Sequence, residues 1–541
     1  MHLCHLIVPF LVIVHPEVSG EVFTALVDLE ESLETEALLI HTLRNYINAE
    51  EQKLDLLRKY VDIYQSQHDR AMEDVTEYIS NPINAYTLVK RLTTDWDNVE
   101  ALMATQVSTD YLNNITFFKE TRMFPNNEDL NGAAVALTRL QDTYKLDTSS
   151  LARGELNGVK YSAELTAADC FELGRQSYNN GDYYHTLLWM KEAEERVNSE
   201  QNQTINYSDI LEYLAFSIYK QGDLSLALTL TNKLLEIVPT HSRALGNKIF
   251  YESELERMVE TKKKKGDDES EDVNVDNDQP EHYQDLYGKD HYEALCRGET
   301  YISPQVESKL KCRYLSRNDP FLKLAPFKIE EAHLKPDLYI FHDVMSDAEI
   351  ETVKRLALPR LQRATVQNSQ TGELETAQYR ISKSAWLKEH EHKHIADISQ
   401  RVEDMTGLSM KTAEELQVVN YGIGGHYEPH FDFARRDEMK NAFQTLGTGN
   451  RIATVLFYMS DVAQGGATVF PMVGAALWPK KGTAAFWFNL YPSGDGDAQT
   501  RHAACPVLAG SKWVSNKWIH EYEQEFRRPC TLERPPEDLT A

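Results

Sequence analysis

The sequence predicts a multidomain chain with an α-helical N-terminal half and an all-β C-terminal domain. Three observations carry that reading. Apolar residues recur at helical spacing through the first part, a helix–turn–helix signature repeats in the second, and β-branched and aromatic runs alternate with glycine-rich turns in the last. A length of 541 residues leaves room for roughly three or four domains. A composition 42% hydrophobic and 26% charged excludes a chain disordered throughout. The formal net charge of −28 argues against nucleic acid as a partner.

Residues 1–20 contain the apolar run Leu3–Val14, too short to span a bilayer and placed where a secretory leader carries its hydrophobic core, with Val18-Ser19-Gly20 as a small-residue cleavage site. The alternative is a buried N-terminal strand. No later stretch is apolar for long enough to be a membrane helix. Residues 21–160 read as long amphipathic helices, with Leu26, Leu29, Leu33, then Leu43, Tyr46, Ile47, Leu54, Leu57 and Val61 at three-four spacing. That pattern fits either a seam between two chains or a helical hairpin within one.

Residues 161–258 hold the repeat. Leu173-Gly174, Tyr178 and Gly181-Asp182 recur as Leu214-Ala215, Tyr219 and Gly222-Asp223, followed by Ala227 and Pro239. A small residue at a helix crossing, a Gly-Asp turn and a closing proline are tetratricopeptide features. The expected groove carries Tyr178, Glu212, Tyr213, Phe216, Tyr219, Arg243, Asn247 and Phe250 or Tyr251. Spacing alone favours a core stripe over a ligand site, but tyrosines beside Arg243 and Asn247 suit a proline-rich peptide, whose extended helix docks on aromatic grooves at low entropic cost. A charge-segregated linker, 259–282, and a connecting region, 283–335, follow.

From residue 336 onward, strands are expected at Leu416–Tyr421, Arg451–Tyr458, Gly482–Phe488 and Lys512–Trp518, in a sandwich or barrel, after a helix Ser346–Leu358 opened by a Ser-x-x-Glu capping box. Six cysteines are present: Cys4 falls in the leader, and Cys170 reads as a buried free thiol. Cys296 with Cys312, and Cys505 with Cys530, make two plausible local disulfides, though four cysteines allow three connectivities. Zinc competes weakly, since no CxxC pair exists. Asn114, Asn202 and Asn206 head glycosylation sequons.

Chemistry concentrates at His430-Phe-Asp432, whose two side chains share one face of a strand, and at His502 at the start of a later strand. Two histidines and a carboxylate on one barrel face form a facial triad with open metal positions, suited to a non-haem Fe(II) oxygenase. A bare His-x-Asp is weak, but Lys512 lies where a cation is needed to hold the distal carboxylate of a 2-oxo acid. His426 is expected as an exposed non-ligand, and the Glu389–His394 cluster as a solvated helix face.

The runs Tyr421–Phe433, Gly449–Thr454, Gly465–Pro471, Arg501–Val507 and Lys512–Trp518 resemble the catalytic domain of collagen-type prolyl 4-hydroxylase α subunits, and the upstream organisation agrees over nearly the whole chain. The resemblance implies a double-stranded β-helix (jelly-roll) catalytic domain, a helical dimerisation domain over 21–160 and a peptide-substrate-binding domain over 161–258. It implies Fe(II) on His430, Asp432 and His502, the 2-oxoglutarate C5 carboxylate on Lys512, and Tyr421 and Tyr458 in the cosubstrate pocket. Oxidative decarboxylation of 2-oxoglutarate to succinate and CO2 would hydroxylate C4 of a peptidyl proline, with O2 as oxidant and L-ascorbate rescuing oxidised iron. Phe216 and Phe250 stand where the family usually has tyrosine, and His426 where it has glutamine. The chain ends Glu537-Asp-Leu-Thr-Ala541 without the Lys/His-Asp-Glu-Leu retention signal. The resemblance therefore implies retention in the endoplasmic reticulum lumen through protein disulfide isomerase as β subunit of an α2β2 tetramer, with procollagen as substrate. Two other readings remain: a lysyl or other peptidyl hydroxylase, and a non-catalytic proline-rich-peptide binder or collagen chaperone.

Overall fold

The computed structural model describes residues 22–264, 288–317, 319–367, 374–377, 379–435, 447–533 and 536. The expected leader, the linker from 265 onward and the last five residues lie outside the described residues. The described chain separates into two units, one of Val22 with Asp28–Asn126, the other of Phe23–Val27 with Asn127 onward.

In the first unit the 48-residue helix α1 (Leu26–Glu73) is followed by shorter helices that pack back along it. Tyr46 meets Tyr111 edge-on at 5.7 Å, Tyr64 packs on Trp96 at 5.7 Å, and Lys53 Nζ donates to the carbonyls of Met103 and Thr105. This is the hairpin arrangement. It leaves Leu33, Leu43 and Val61 at least half exposed, so an apolar stripe remains on α1.

The second unit opens with α2 (Asn127–Tyr144). The 21–160 region is thus not one piece: Phe23–Val27 and α2 belong with the C-terminal part of the chain, because their buried faces (Thr24, Ala25, Ala134, Ala136, Leu140) pack there. Next come the repeats, α3 (Ala167–Asn179), α4 (Tyr183–Ser199), α5 (Tyr207–Lys220), α6 (Leu224–Ile237) and α7 (Ser242–Lys264). The two Gly-Asp turns work as the sequence requires. Gly181 and Gly222 take positive φ at 77° and 93°, and Asp182 and Asp223 then cap α4 and α6 by accepting from the His185 and Leu226 amides. Helix α7 runs on to Lys264, past the expected start of the linker at 259.

The C-terminal domain is built on two antiparallel sheets. Its strands are β1 (Phe327–Leu334), β2 (Asp337–His342), β3 (Ser382–Leu387), β4 (Leu416–Tyr421), β5 (Tyr427–His430), β6 (Arg451–Tyr458), β7 (Thr468–Phe470), β8 (Ala475–Leu477), β9 (Ala484–Phe488), β10 (His502–Ala504) and β11 (Trp513–His520). The nine-stranded sheet runs Cys312–Leu315, β1, β2, β9, β6, β11, β4, β3, Gln362–Arg363, and the four-stranded sheet β5, β10, β7, β8. Together they form the jelly roll. Its strands alternate as period two demands. Val418, Val455, Phe486 and Ile519 face the helices α9 (Asp347–Ala357) and α10 (Lys393–Thr406), while Val419, Tyr421, Leu456, Trp487 and Val514 face the interior. The capping box forms as expected: the Ser346 hydroxyl accepts from the Glu349 amide, and the Glu349 carboxylate accepts from Ser346 N.

Helix α8 (Gly288–Cys296) is fixed by a disulfide from Cys296 to Cys505, spanning 209 residues. The structure therefore differs from the local pairing: Cys312 and Cys530 are exposed and unbonded, because β10 carries Cys505 against α8 rather than toward the C-terminal tail. Cys170 is buried and free, as expected. Asn114, Asn202 and Asn206 are all exposed.

Candidate active site

Strands β5 and β10 are paired neighbours, and His430 and His502 are register partners across that pair. Asp432 follows two residues beyond His430, so all three side chains converge, with one ligand atom of each within 4.8 Å of the others. His430 Nε2 lies 3.8 Å from Asp432 Oδ1, and His502 Nε2 3.6 Å from Asp432 Oδ2. Each imidazole is oriented from behind by a main-chain carbonyl: Nδ1 of His430 is 2.8 Å from Glu428 O, and Nδ1 of His502 is 3.1 Å from Thr500 O. Donation from Nδ1 leaves both Nε2 lone pairs for a metal.

The protonation states agree. Burial and the neighbouring His502 push the His430 pKa down to about 3, so the ring is neutral. Burial would raise the Asp432 pKa, but the two histidines outweigh it and hold the carboxyl below its usual range. The Thr454 hydroxyl donates to Asp432 Oδ2 at 2.7 Å, and Asn489 Nδ2 donates to Thr454 at 3.0 Å. A His–Asp–His donor set on a shared face fits Fe(II).

The cavity holding the triad is also lined by Arg380, Tyr421, Tyr427, Trp487, Asn516, Trp518 and Lys512. Lys512 is 1% exposed, and its ammonium lies 4.8 Å from the Tyr421 ring centroid. Burial alone lowers its pKa to about 7. A buried lysine with no carboxylate partner among the described residues suits an anionic ligand, and a 2-oxo acid supplies one. Tyr421 lines the cavity as expected. Tyr458 does not; it stands behind the wall, its hydroxyl donating to Thr468 at 2.8 Å.

Two further expectations are corrected. His426 is 2% exposed, because the connection between β4 and β5 turns inward between α2 and the barrel; it is not part of the triad. The Glu389–His394 segment is solvated at Glu389, His390 and Lys393, as expected, but only Lys393 and His394 are helical: a 3-10 turn (Glu389–Glu391) and an N-cap precede them, His392 accepting from the His394 amide while Glu389 and Glu391 pair with Lys517 and Arg360. Among the described residues the triad is the one three-ligand cluster.

The repeat helices present a second candidate surface. Tyr178 meets Tyr213 at 5.0 Å and Phe216 at 5.5 Å, Phe216 meets Tyr219 at 5.8 Å, and Tyr219 meets Phe250 at 5.6 Å, each edge-on. Tyr178, Tyr213, Phe216 and Tyr219 are half-buried and Phe250 is exposed, whereas Tyr251 is core. Arg243 Nη1 lies 2.6 Å from Glu212 Oε1, and Asn247 is half-buried one turn farther along α7. A continuous aromatic ribbon left half open favours the ligand reading over the core one.

Sequence reasoning missed Arg380 and Trp518 in the cavity wall and Thr454 and Asn489 behind Asp432. Thr454 lay within a quoted motif without a role. Arg380 offered no local signal, since it enters through an isolated bridge to Tyr427.

Comparison with known proteins agrees with this geometry. Residues 25–158 match the model of the prolyl 4-hydroxylase α-subunit N-terminal region, 167–257 that of the prolyl 4-hydroxylase peptide-substrate-binding domain, and 416–520 that of the 2OG-Fe(II) oxygenase superfamily. The chain is 51% identical to prolyl 4-hydroxylase subunit alpha-1 of Homo sapiens over 512 residues, covering 94% of this chain and 95% of that protein. It is 51% identical over 517 residues to prolyl 4-hydroxylase subunit alpha-2 of Caenorhabditis elegans, covering 95% and 94% respectively.

Proposed function

This chain belongs to the prolyl 4-hydroxylase α-subunit family and is a 2-oxoglutarate- and Fe(II)-dependent prolyl hydroxylase, and from that premise we propose that it acts on the X-Pro-Gly repeats of procollagen-like chains. The observation that supports this most directly is the triad and a buried lysine, without a carboxylate partner among the described residues, in one cavity of a chain that also carries an aromatic groove.

In this reading His430, Asp432 and His502 hold the iron and Lys512 anchors the C5 carboxylate of 2-oxoglutarate. Bound iron with 2-oxoglutarate supplies O2 activation, giving succinate, CO2 and a hydroxyl on C4 of proline. The protein's own contribution is binding and orientation. The carbonyls of Glu428 and Thr500 fix the histidine tautomers, Thr454 orients Asp432, and Tyr427 and Trp487 pack on the histidine rings and exclude water. The groove residues Tyr178, Tyr213, Phe216, Tyr219 and Phe250 hold proline-rich peptide. L-ascorbate would re-reduce iron after turnover without peptide.

A 2-oxoglutarate decarboxylation assay on Pro-Pro-Gly repeats, beside lysine-containing and non-proline peptides, tests the assignment. Hydroxyproline formed in step with succinate is the expected result. Hydroxylysine, or peptide binding without turnover, would favour the competing readings. The family also motivates an α2β2 assembly with protein disulfide isomerase in the endoplasmic reticulum lumen, with the apolar stripe on α1 as α–α contact. Co-expression with the isomerase should give soluble active enzyme where the chain alone aggregates, and a soluble active monomer obtained alone would refute the partner.

A further inference from the structure

Arg451 opens β6 behind the cavity and does not line it. It nevertheless holds two residues that do. Its guanidinium stacks on the Trp518 ring, 4.0 Å from the centroid, and its Nη1 donates to the main-chain carbonyl of Asp432 at 3.3 Å. The guanidinium is itself fixed by a two-pronged contact to Glu414, Nε to Oε1 at 2.5 Å and Nη2 to Oε2 at 3.1 Å. His520 Nε2 lies 2.9 Å from the same Oε1, and its Nδ1 lies 2.7 Å from Gly449 O. The loop closes on Trp518, whose carbonyl accepts from the Glu414 amide at 2.9 Å. Trp518 is therefore held at its backbone by Glu414 and at its ring by the cation that Glu414 orients, with Trp386 5.9 Å away.

A surface ion pair would explain none of this. Glu414 and Arg451 side chains are 14% and 19% exposed and His520 is wholly buried, so desolvation is costly and an apolar trio of similar volume would serve stability as well. What an apolar trio cannot do is fix an indole face and a main-chain carbonyl in one geometry, and a lysine lacks the planar fork that does both.

Resting on the prolyl hydroxylase reading, we propose that Arg451 is a positioning residue that sets the Trp518 wall of the substrate cavity and the Asp432 main chain together, so that peptide seating and metal-ligand geometry are coupled through one guanidinium. Arg451 touches neither substrate nor metal; Glu414 orients it, and His520 in turn contacts Glu414.

The test uses the full chain, assembled as active enzyme, with Arg451→Lys, Arg451→Gln and Glu414→Gln. All three should raise the peptide KM by roughly 2- to 30-fold, the range expected for a lost cation–π contact, while the 2-oxoglutarate KM moves less than about twofold. Succinate formed per hydroxyproline should rise, because a displaced Trp518 seats the proline poorly. Independently of turnover, calorimetry with Mn(II) should show weaker binding to Arg451→Gln than to wild type. Arg451→Lys keeps the charge and decides the matter if the glutamine variant fails to fold. Unchanged peptide KM and Mn(II) affinity in folded variants would overturn the proposal, as would an equal loss in all parameters tracking a lower Tm. An unmutated enzyme that hydroxylates no proline would instead overturn the function on which it rests.

Discussion

Lys512 is buried with no carboxylate partner among the described residues, and burial lowers its pKa to about 7. The sign follows directly. Between about pH 7 and the unfolded value near 10.4 the unfolded chain binds the extra proton, so this residue makes the ligand-free protein more stable as pH rises through that window. In the proposed reading, binding of 2-oxoglutarate would have the opposite preference, because its carboxylate would need the ammonium. The KM for 2-oxoglutarate is therefore expected to climb above pH 7, by up to about tenfold per unit, and to lose that slope in Lys512→Ala, whose KM at pH 7 should be raised about 10- to 100-fold by loss of a charge-assisted contact. Steady-state kinetics over pH 6–9 checks both, and a flat wild-type profile would remove Lys512 from the cosubstrate. At the triad, His430→Ala, Asp432→Ala and His502→Ala should each abolish turnover with the far-UV spectrum and Tm of the metal-free chain largely preserved, since each removes a donor without touching the barrel core. Residual hydroxylation near the normal rate in any of them would overturn the ligand set.

At the scale of elements, what was legible in the sequence is what local physics decides. The Gly-Asp turns, the Ser346 capping box and the period-two strands β4, β6, β9 and β11 were readable because one short segment contains the whole cause. Pairings between distant segments were not. Nothing near Cys296 announces Cys505, nothing near Tyr144 announces that its hydroxyl donates to Pro506 O, and the inward turn that buries His426 depends on α2, nearly three hundred residues earlier. The junction between α2 and the repeats is a further pairing of this kind. Burial alone would lower the His185 pKa, but Asp142 on α2 and Asp182 before α4 hold it up at about 9. Nδ1 lies 2.6 Å from Asp182 Oδ2, while Nε2, 3.1 Å from Asp142 Oδ1, makes a charge contact rather than an aligned hydrogen bond. With the folded pKa raised, the stabilisation is complete below about pH 6.5 and is lost as pH rises through 9. Asp142→Asn should accordingly lower Tm at pH 6.5 and have little effect above pH 10, whereas a deficit constant across that range would mean the contact is not electrostatic. On the groove, Tyr213→Ala removes the ring that bridges Tyr178 and Phe171, and should raise the KM for long Pro-Pro-Gly peptides while short ones change little.

For the molecule as a whole, the N-terminal segment is the feature that linear domain boundaries hide. Phe23–Val27, which includes the first two residues of α1, belongs to the C-terminal unit and is seated on the Gly422–Gly425 turn between β4 and β5. The Ile423 amide donates to Phe23 O at 2.9 Å, and the Val27 amide reaches Asn420 Oδ1 at 3.5 Å. On one side of this turn stands Tyr421, which lines the triad's cavity, and on the other Tyr427 and His430. The fit leaves no space, since a Cβ on Gly422 would lie 2.0 Å from Phe23 O and 2.4 Å from the Thr24 carbonyl carbon, both backbone atoms that cannot swing away. A truncation of residues 21–140 would thus remove not only helices of the first unit but this segment and most of α2, and should damage the catalytic domain as well as any α–α pairing. The seat can be isolated by a double-mutant cycle. Gly422→Ala in the full chain must displace the segment or the turn, and is expected to cost about 1–3 kcal/mol, as overpacking of a filled site does. In a chain lacking the residues before Leu26 the three atoms nearest the methyl are gone, so the same substitution should cost much less, and the difference between the two backgrounds measures the coupling. Equal costs in both backgrounds would show that the segment does not occupy this seat in solution.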